Sequence, residues 1–273
     1  MHRALRRASP TTNAMTTSQE TTAAKLVNRV PEVTLVFWIL KILATTVGET
    51  AGDVLSITFK LGTVITSYVM GALLIVALVL QFRARRYVPA IYWLVVVFIS
   101  VVGTLISDNL VDNLGVPLAT TTAIFTVALI LVFVFWYMTE KTLSVHTIYT
   151  ARREAFYWLA ILFTFSLGTS GGDLLSERMG VGYAISALIF AAGIAIIYGL
   201  YRTGVVGEVL AFWLAYILTR PLGASIGDLL TQARGDGGLG LGTIPVSAVF
   251  LVIIVILVVH LDREEKKKRF ASA

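Results

Sequence analysis

Beyond residue 30 the chain is built from apolar runs of about 20 residues separated by short polar breaks. The runs come in pairs. First runs cover about 33–58, 89–112, 155–178 and 207–231, and second runs about 62–82, 119–138, 182–201 and 243–261. At roughly 1.5 Å per residue each is long enough to cross a hydrocarbon core as an α-helix. Membrane-spanning β-strands would instead alternate polarity over about ten residues. The pattern predicts an all-α, polytopic membrane helix bundle with eight transmembrane helices. Composition agrees: of 273 residues 57% are hydrophobic and only 14% charged, and the mean hydropathy is +0.83. Soluble domains carry about 25% charged residues.

The first run of every pair repeats one phrase: Trp38–Gly48–Gly52–Asp53, Trp93–Gly103–Ser107–Asp108, Trp158–Gly168–Gly172–Asp173 and Trp213–Gly223–Gly227–Asp228. Trp to Asp is always 15 residues, and the copies start 55, 65 and 55 residues apart. Such self-similarity marks a repeat architecture. Each repeat holds two spans, so all four enter the membrane in the same direction, as parallel two-helix repeats.

Lysine and arginine orient the stack. Of the 22, seventeen lie in the tails and in connections that follow second runs, against three inside the helix pairs. Positive charge marks the cytoplasmic side, so both termini are expected there. Residues 1–30 are polar and basic, and read as a disordered cytoplasmic tail rather than a cleaved signal; Met15 is an alternative start. The first membrane half is then 31–138, a cytoplasmic connection covers 139–154, the second half is 155–262, and 263–273 is a basic cytoplasmic tail. The net charge of +6 is topological rather than a nucleic-acid footprint. With no cysteine and only three scattered histidines, thiol chemistry and Cys- or His-based metal sites are excluded, and no cofactor or enzymatic activity is expected. The glycine-rich stretch 235–242 lacks the strand and Lys-Ser/Thr of a phosphate cradle and reads as a flexible loop.

The parts of the phrase suit different tasks. Small residues four apart share a helix face and let backbones approach closely, so Gly48, Gly52, Gly103, Ser107, Gly168, Gly172, Gly223 and Gly227 are expected to pack helices together. The tryptophans, near the cytoplasmic helix ends, read as interfacial anchors. A carboxylate in a span usually faces a bundle interior or a wet cavity. Asp53, Asp108, Asp173 and Asp228 recur at one depth, toward the external side, and with Glu49 and Asp112 they are candidates for a cation or proton site. Lys41 and Arg220 are intramembrane cations without counterparts in the other copies. Lys41, Thr45, Glu49 and Asp53 fall on one face at steps of four. Lys41–Glu49, or Arg220 with an Asp of another repeat, is the expected charge pair or gate. Pro221, next to Arg220, is expected to kink its helix.

The opening Val30-Pro-Glu-Val-Thr-Leu-Val-Phe-Trp, with Lys41-Ile-Leu-Ala-Thr-Thr-Val-Gly-Glu-Thr-Ala-Gly-Asp53, resembles bacterial membrane proteins built from a repeat of unknown function. The resemblance implies a multi-span inner-membrane protein and brings no substrate or catalytic residues. The expected function is a transporter or carrier for a small cation, a proton or a divalent metal such as Mg, Ca or Mn, for which oxygen ligands are suited. The alternative is a non-transporting sensor or assembly module whose basic tail contacts anionic lipid or a cytoplasmic partner. The expected partners are membrane lipid and a small cation, with oligomeric state left open.

Overall fold

The computed structural model describes residues 28–271. Among them are eight helices long and apolar enough to cross a membrane. They are α1 (Leu35–Asp53), α2 (Gly62–Arg83), α3 (Pro89–Asp108), α4 (Leu118–Glu140), α5 (Ala151–Asp173), α6 (Tyr183–Arg202), α7 (Glu208–Thr231) and α8 (Thr243–Ala271). Local chemistry starts several of them. Thr34 Oγ1 accepts from Phe37 N, Thr150 Oγ1 accepts from Arg153 N, and Pro89 sits in the first turn of α3. In the first three repeats the helix widens into one π turn directly after the repeat Asp, at Val54–Thr58, Asn109–Asn113 and Leu174–Arg178. Nothing in the residue pattern predicts these turns, and α7 has none among its described residues.

The odd-numbered helices form an inner ring in chain order, α1 against α3, α3 against α5, α5 against α7, and α7 back against α1. The even-numbered helices lie outside. Each packs on the first helix of the following repeat: α2 on α3, α4 on α5, α6 on α7, and α8 on α1. The last element thus covers the first, and the four repeats close around a pseudo-fourfold axis.

The first glycine of each phrase makes this ring possible. A Cβ on Gly48 would overlap Ser100, one on Gly168 would overlap Arg220, and one on Gly223 would lie 2.7 Å from Thr45 Cβ. On Gly103 it would lie 2.6 Å from Phe165 Cβ and 3.2 Å from the Ser166 backbone nitrogen. Each of these glycines therefore meets the residue seven places after the tryptophan of the next repeat: Ser100, Phe165, Arg220 or Thr45. The second small residue stands further off. A Cβ on Gly52 would lie 3.8 Å from Thr104, and one on Gly172 3.4 Å from Pro221. Pro221 lies inside α7, which stays helical on both sides of it.

The tryptophans correct one expectation. Trp93, Trp158 and Trp213 are only 1–3% exposed, so they pack inward rather than lying at the lipid interface. The residue before each one is also aromatic, and the two positions interlock around the ring. Phe37 meets Trp93 at 5.7 Å, Tyr92 meets Trp158 at 5.3 Å, Tyr157 meets Trp213 at 6.2 Å, and Phe212 meets Trp38 at 5.7 Å between ring centroids. The Tyr92 and Tyr157 hydroxyls lie 2.5 Å apart. This closed aromatic belt seals the end of the ring that carries most of the basic residues, hereafter the basic end. The opposite end, beyond the repeat Asp residues, is the acidic end.

Two segments at the basic end are more ordered than expected. Of the tail expected over residues 1–30, positions 1–27 lie outside the described residues. Asn28 and Arg29, however, are pinned: the Asn28 amide donates to Val145 O and accepts from Ile148 N, and Arg29 pairs with buried Glu154 at 2.7 Å. The tail expected from 263 is helical through Ala271. Asp262–Lys266, Glu264–Lys267 and Glu265–Lys268 pairs run along α8 at helical spacing.

Replacing Gly103 by Val should lower stability by about 1–3 kcal/mol, because the neighbouring backbone cannot yield to the added side chain. Gly71→Ala, where nothing lies within 4 Å, should leave it nearly unchanged. Thermal unfolding in detergent measures both.

Candidate functional site

Residues at steps of four along each inner helix face the ring axis and stack into layers. The deepest, above the aromatic belt, holds Lys41. Its ammonium lies 4.1 Å from the Phe165 ring centroid and 4.2 Å from that of Tyr216. The side chain is buried, and no hydrogen-bond acceptor reaches it among the described residues. Cation–π attraction of this kind strengthens when the cation is desolvated. The expected Lys41–Glu49 pair therefore does not form. The two share a helix face, but a neighbouring helix claims the carboxylate.

That neighbour is Arg220. It is fully buried, and its Nη2 donates to Glu49 Oε2 at 2.7 Å, to Thr169 Oγ1 at 2.7 Å and to Thr104 Oγ1. Glu49, Thr104 and Thr169 each stand 11 residues after the tryptophan of their repeat, so the arginine takes one acceptor from each of the other three. The same position in its own repeat is Ala224, small enough to leave the axis clear. Arg220 thus pairs with an acid of another repeat, but with a Glu rather than an Asp.

Above this layer the axis opens into a cavity of about 240 Å³ at the acidic end. It is lined by Asp53, Asp108, Asp173 and Asp228, by Glu49 at its floor, and by Asp112 and Glu177 higher up. The four repeat carboxylates are therefore brought together in one place. Asp112, Glu177 and Gln232 stand 19 residues after their tryptophans, one more step of four beyond the Asp. Extending the stripe past Asp53 finds this layer in the sequence, where it offers Ile57, Asp112, Glu177 and Gln232. Tyr183 donates to Glu177 at 3.2 Å. Ser107, the one phrase position without glycine, also lines the cavity, and its buried hydroxyl has no partner among the described residues. Among the described residues no three His, Asp or Glu side chains are grouped so as to hold a metal ion directly.

Seven carboxyl groups line one cavity, and their mutual repulsion at close range favours sharing protons or a cation over a fully ionised ring, which leaves a negative field. Low-dielectric walls focus such a field and concentrate cations at the mouth. The floor has the opposite sign, with Arg220 at the base and Lys41 beneath it. A volume of 240 Å³ holds on the order of eight waters at about 30 Å³ each, so a cation can enter with a hydration shell.

A family model described as a Repeat of Unknown Function (DUF347) matches four times, at residues 36–87, 91–142, 156–204 and 211–267. The chain belongs to the DUF347 family. The four matches begin at the spacing of the tryptophans, and each contains one inner and one outer helix. In DUF347 terms, the site is built from the first helix of every repeat, and the charges that break the repeat are Lys41, Glu49 and Arg220. No curated protein and no solved structure matches the chain.

Removing one partner of a buried ion pair leaves an uncompensated charge and costs about 3–5 kcal/mol. Arg220→Met should therefore destabilise the protein strongly, while Arg220→Met combined with Glu49→Leu should recover much of the loss. Unfolding of the two single variants and the double variant measures the coupling.

Proposed function

We propose that the protein is a membrane carrier for a small cation, either a proton or a divalent metal ion, working along the axis of the four-repeat ring. One observation carries this reading: carboxylates from all four repeats line a single cavity whose floor is a cross-linking arginine. Asp53, Asp108, Asp173 and Asp228, with Asp112 and Glu177, attract and hold the cation. Oxygen donors around an open cavity suit a metal ion that keeps part of its water shell, a habit pronounced for Mg²⁺.

Glu49 belongs both to the cavity wall and to the Arg220 hub. A cation that reaches Glu49 competes with the guanidinium for the same carboxylate. Breaking that bond loosens the tie from α7 to α1, while Thr104 and Thr169 hold Arg220 less strongly, since a neutral hydroxyl attracts the guanidinium less than a carboxylate does. Arg220 is thus the gate, the aromatic belt is the second barrier, and Lys41 is the buried amine between them. The uneven distribution of Lys and Arg supports termini in the cytoplasm of a bacterial cell and a cavity that opens outward.

Flux into proteoliposomes, measured across protons, Mg²⁺, Ca²⁺ and Mn²⁺, tests the reading. An Asp108→Asn/Asp173→Asn variant should lose at least about tenfold of the wild-type flux, equivalent to roughly 1.4 kcal/mol. Equal flux from both proteins, or none from wild type for any of these ions, would refute it. Orientation has its own check, helped by the absence of native cysteine. In intact cells, a membrane-impermeant maleimide should label a cysteine placed at exposed Gly235, where nothing lies within 4 Å, and spare one placed at Thr203.

A further inference from the structure

The four outer helices meet the ring at equivalent seams, and one seam is left open. Gln81, Trp136 and Tyr201 hold the same place in the first three matched repeats, 43 residues after the tryptophan. Gln81 and Trp136 are fully buried, whereas Tyr201 is 42% exposed. Each buried residue closes its seam by reaching the inner helix two repeats on. Gln81 Nε2 donates to Glu154 at 2.8 Å on α5, and Trp136 meets Trp213 at 5.7 Å on α7. In the longer fourth repeat, Leu261 and Val258 of α8 pack against the core.

Tyr201 and Tyr198 of α6 should by this rule cover Trp38 of α1. They lie apart from it instead, and a crevice of about 620 Å³ separates α6 from α1 over the face of α7. That volume is in the range of small-molecule sites, about 300–1,000 Å³. Trp38, Ile197 and Phe212 give it apolar walls. Its rim carries charges of both signs. Glu208 lies 3.0 Å from His146, and Arg202 donates to the Tyr198 hydroxyl at 2.9 Å, all with exposed side chains.

We propose that the open seam binds one molecule of phosphatidylethanolamine, with an acyl chain lying between α6 and α1 where Trp136 fills the equivalent seam. The headgroup follows from the rim. Glu208 on the crevice wall suits a primary ammonium that donates hydrogen bonds, and Arg202, held against the lining Tyr198, suits a phosphate. A choline headgroup offers no N–H donor, and a glycerol headgroup brings no positive charge to Glu208. The crevice opens sideways between helices and toward the basic end, where lipid headgroups meet a spanning helix. The inference does not depend on cation transport.

The test is native mass spectrometry of the full-length protein, delipidated in mild detergent. It is titrated with phosphatidylethanolamine, phosphatidylcholine and phosphatidylglycerol of identical acyl chains. One phosphatidylethanolamine should be retained, with about tenfold preference over the other two. Glu208→Gln, an exposed substitution that leaves the fold alone, should bring phosphatidylethanolamine and phosphatidylcholine to parity. Tyr201→Trp should fill the seam and abolish retention. If that variant fails to fold, Ala215→Leu on the α7 wall of the crevice serves the same purpose. Equal retention of all three lipids, preference for phosphatidylglycerol, no retention by wild type, or retention unchanged in the seam-filling variant would each overturn the proposal.

Discussion

Arg220 is a permanent cation with no exposure to water, and the arrangement around it follows from the need to satisfy that charge. A buried ion must be paired and hydrogen-bonded, because isolating it costs many kcal/mol. Satisfying this one requires Glu49, Thr104 and Thr169 to reach the axis at the same height from three different helices. Equal height requires the inner helices to run in the same direction in register, which only parallel repeats provide. Close approach requires Gly168 where α5 meets the stem of the arginine. Gly168 and the common register of the inner helices make room for one guanidinium placed on the axis.

Much of this was legible in the sequence, and the exceptions have physical causes. The eight spans were readable because lipid demands long apolar helices. Steps of four from Lys41 to Asp53 traced the face that lines the axis. The partners were not readable, because which helix stands beside which around a ring is decided by contacts between distant segments; Glu49 and Arg220 are 171 residues apart. The tryptophans were misjudged for a different reason. In a membrane, core and lipid are equally apolar, so a large aromatic side chain does not announce which way it faces. The clue was the aromatic residue before each tryptophan, the other half of the belt. The π turns after the Asp residues carry no sequence marker.

The arginine hub lies where the fourfold pattern is broken. Strict repetition would give four identical side chains at each layer, and four arginines or four glutamates on one axis would repel each other. Divergence to Glu49, Thr104, Thr169 and Ala224 at one level, and to Thr45, Ser100, Phe165 and Arg220 at the level below, lets one arginine nitrogen take an acceptor from each of the other three repeats, whereas the Asp layer keeps four like carboxyl groups. The aromatic belt, which bears no charge, has stayed nearly symmetric.

Closure of the ring by its last quarter sets the timing of assembly. Synthesis proceeds at about 5–20 residues per second, so the 171 residues between Glu49 and Arg220 correspond to roughly 10–30 s. Throughout that interval the first span resides in the bilayer with its carboxylate lacking the arginine that will neutralise it. The inner helices must also hold a place for the one that completes the circle. The bundle is thus assembled after insertion, as an open arc that closes once, and its early half is the part most exposed to quality control in the membrane.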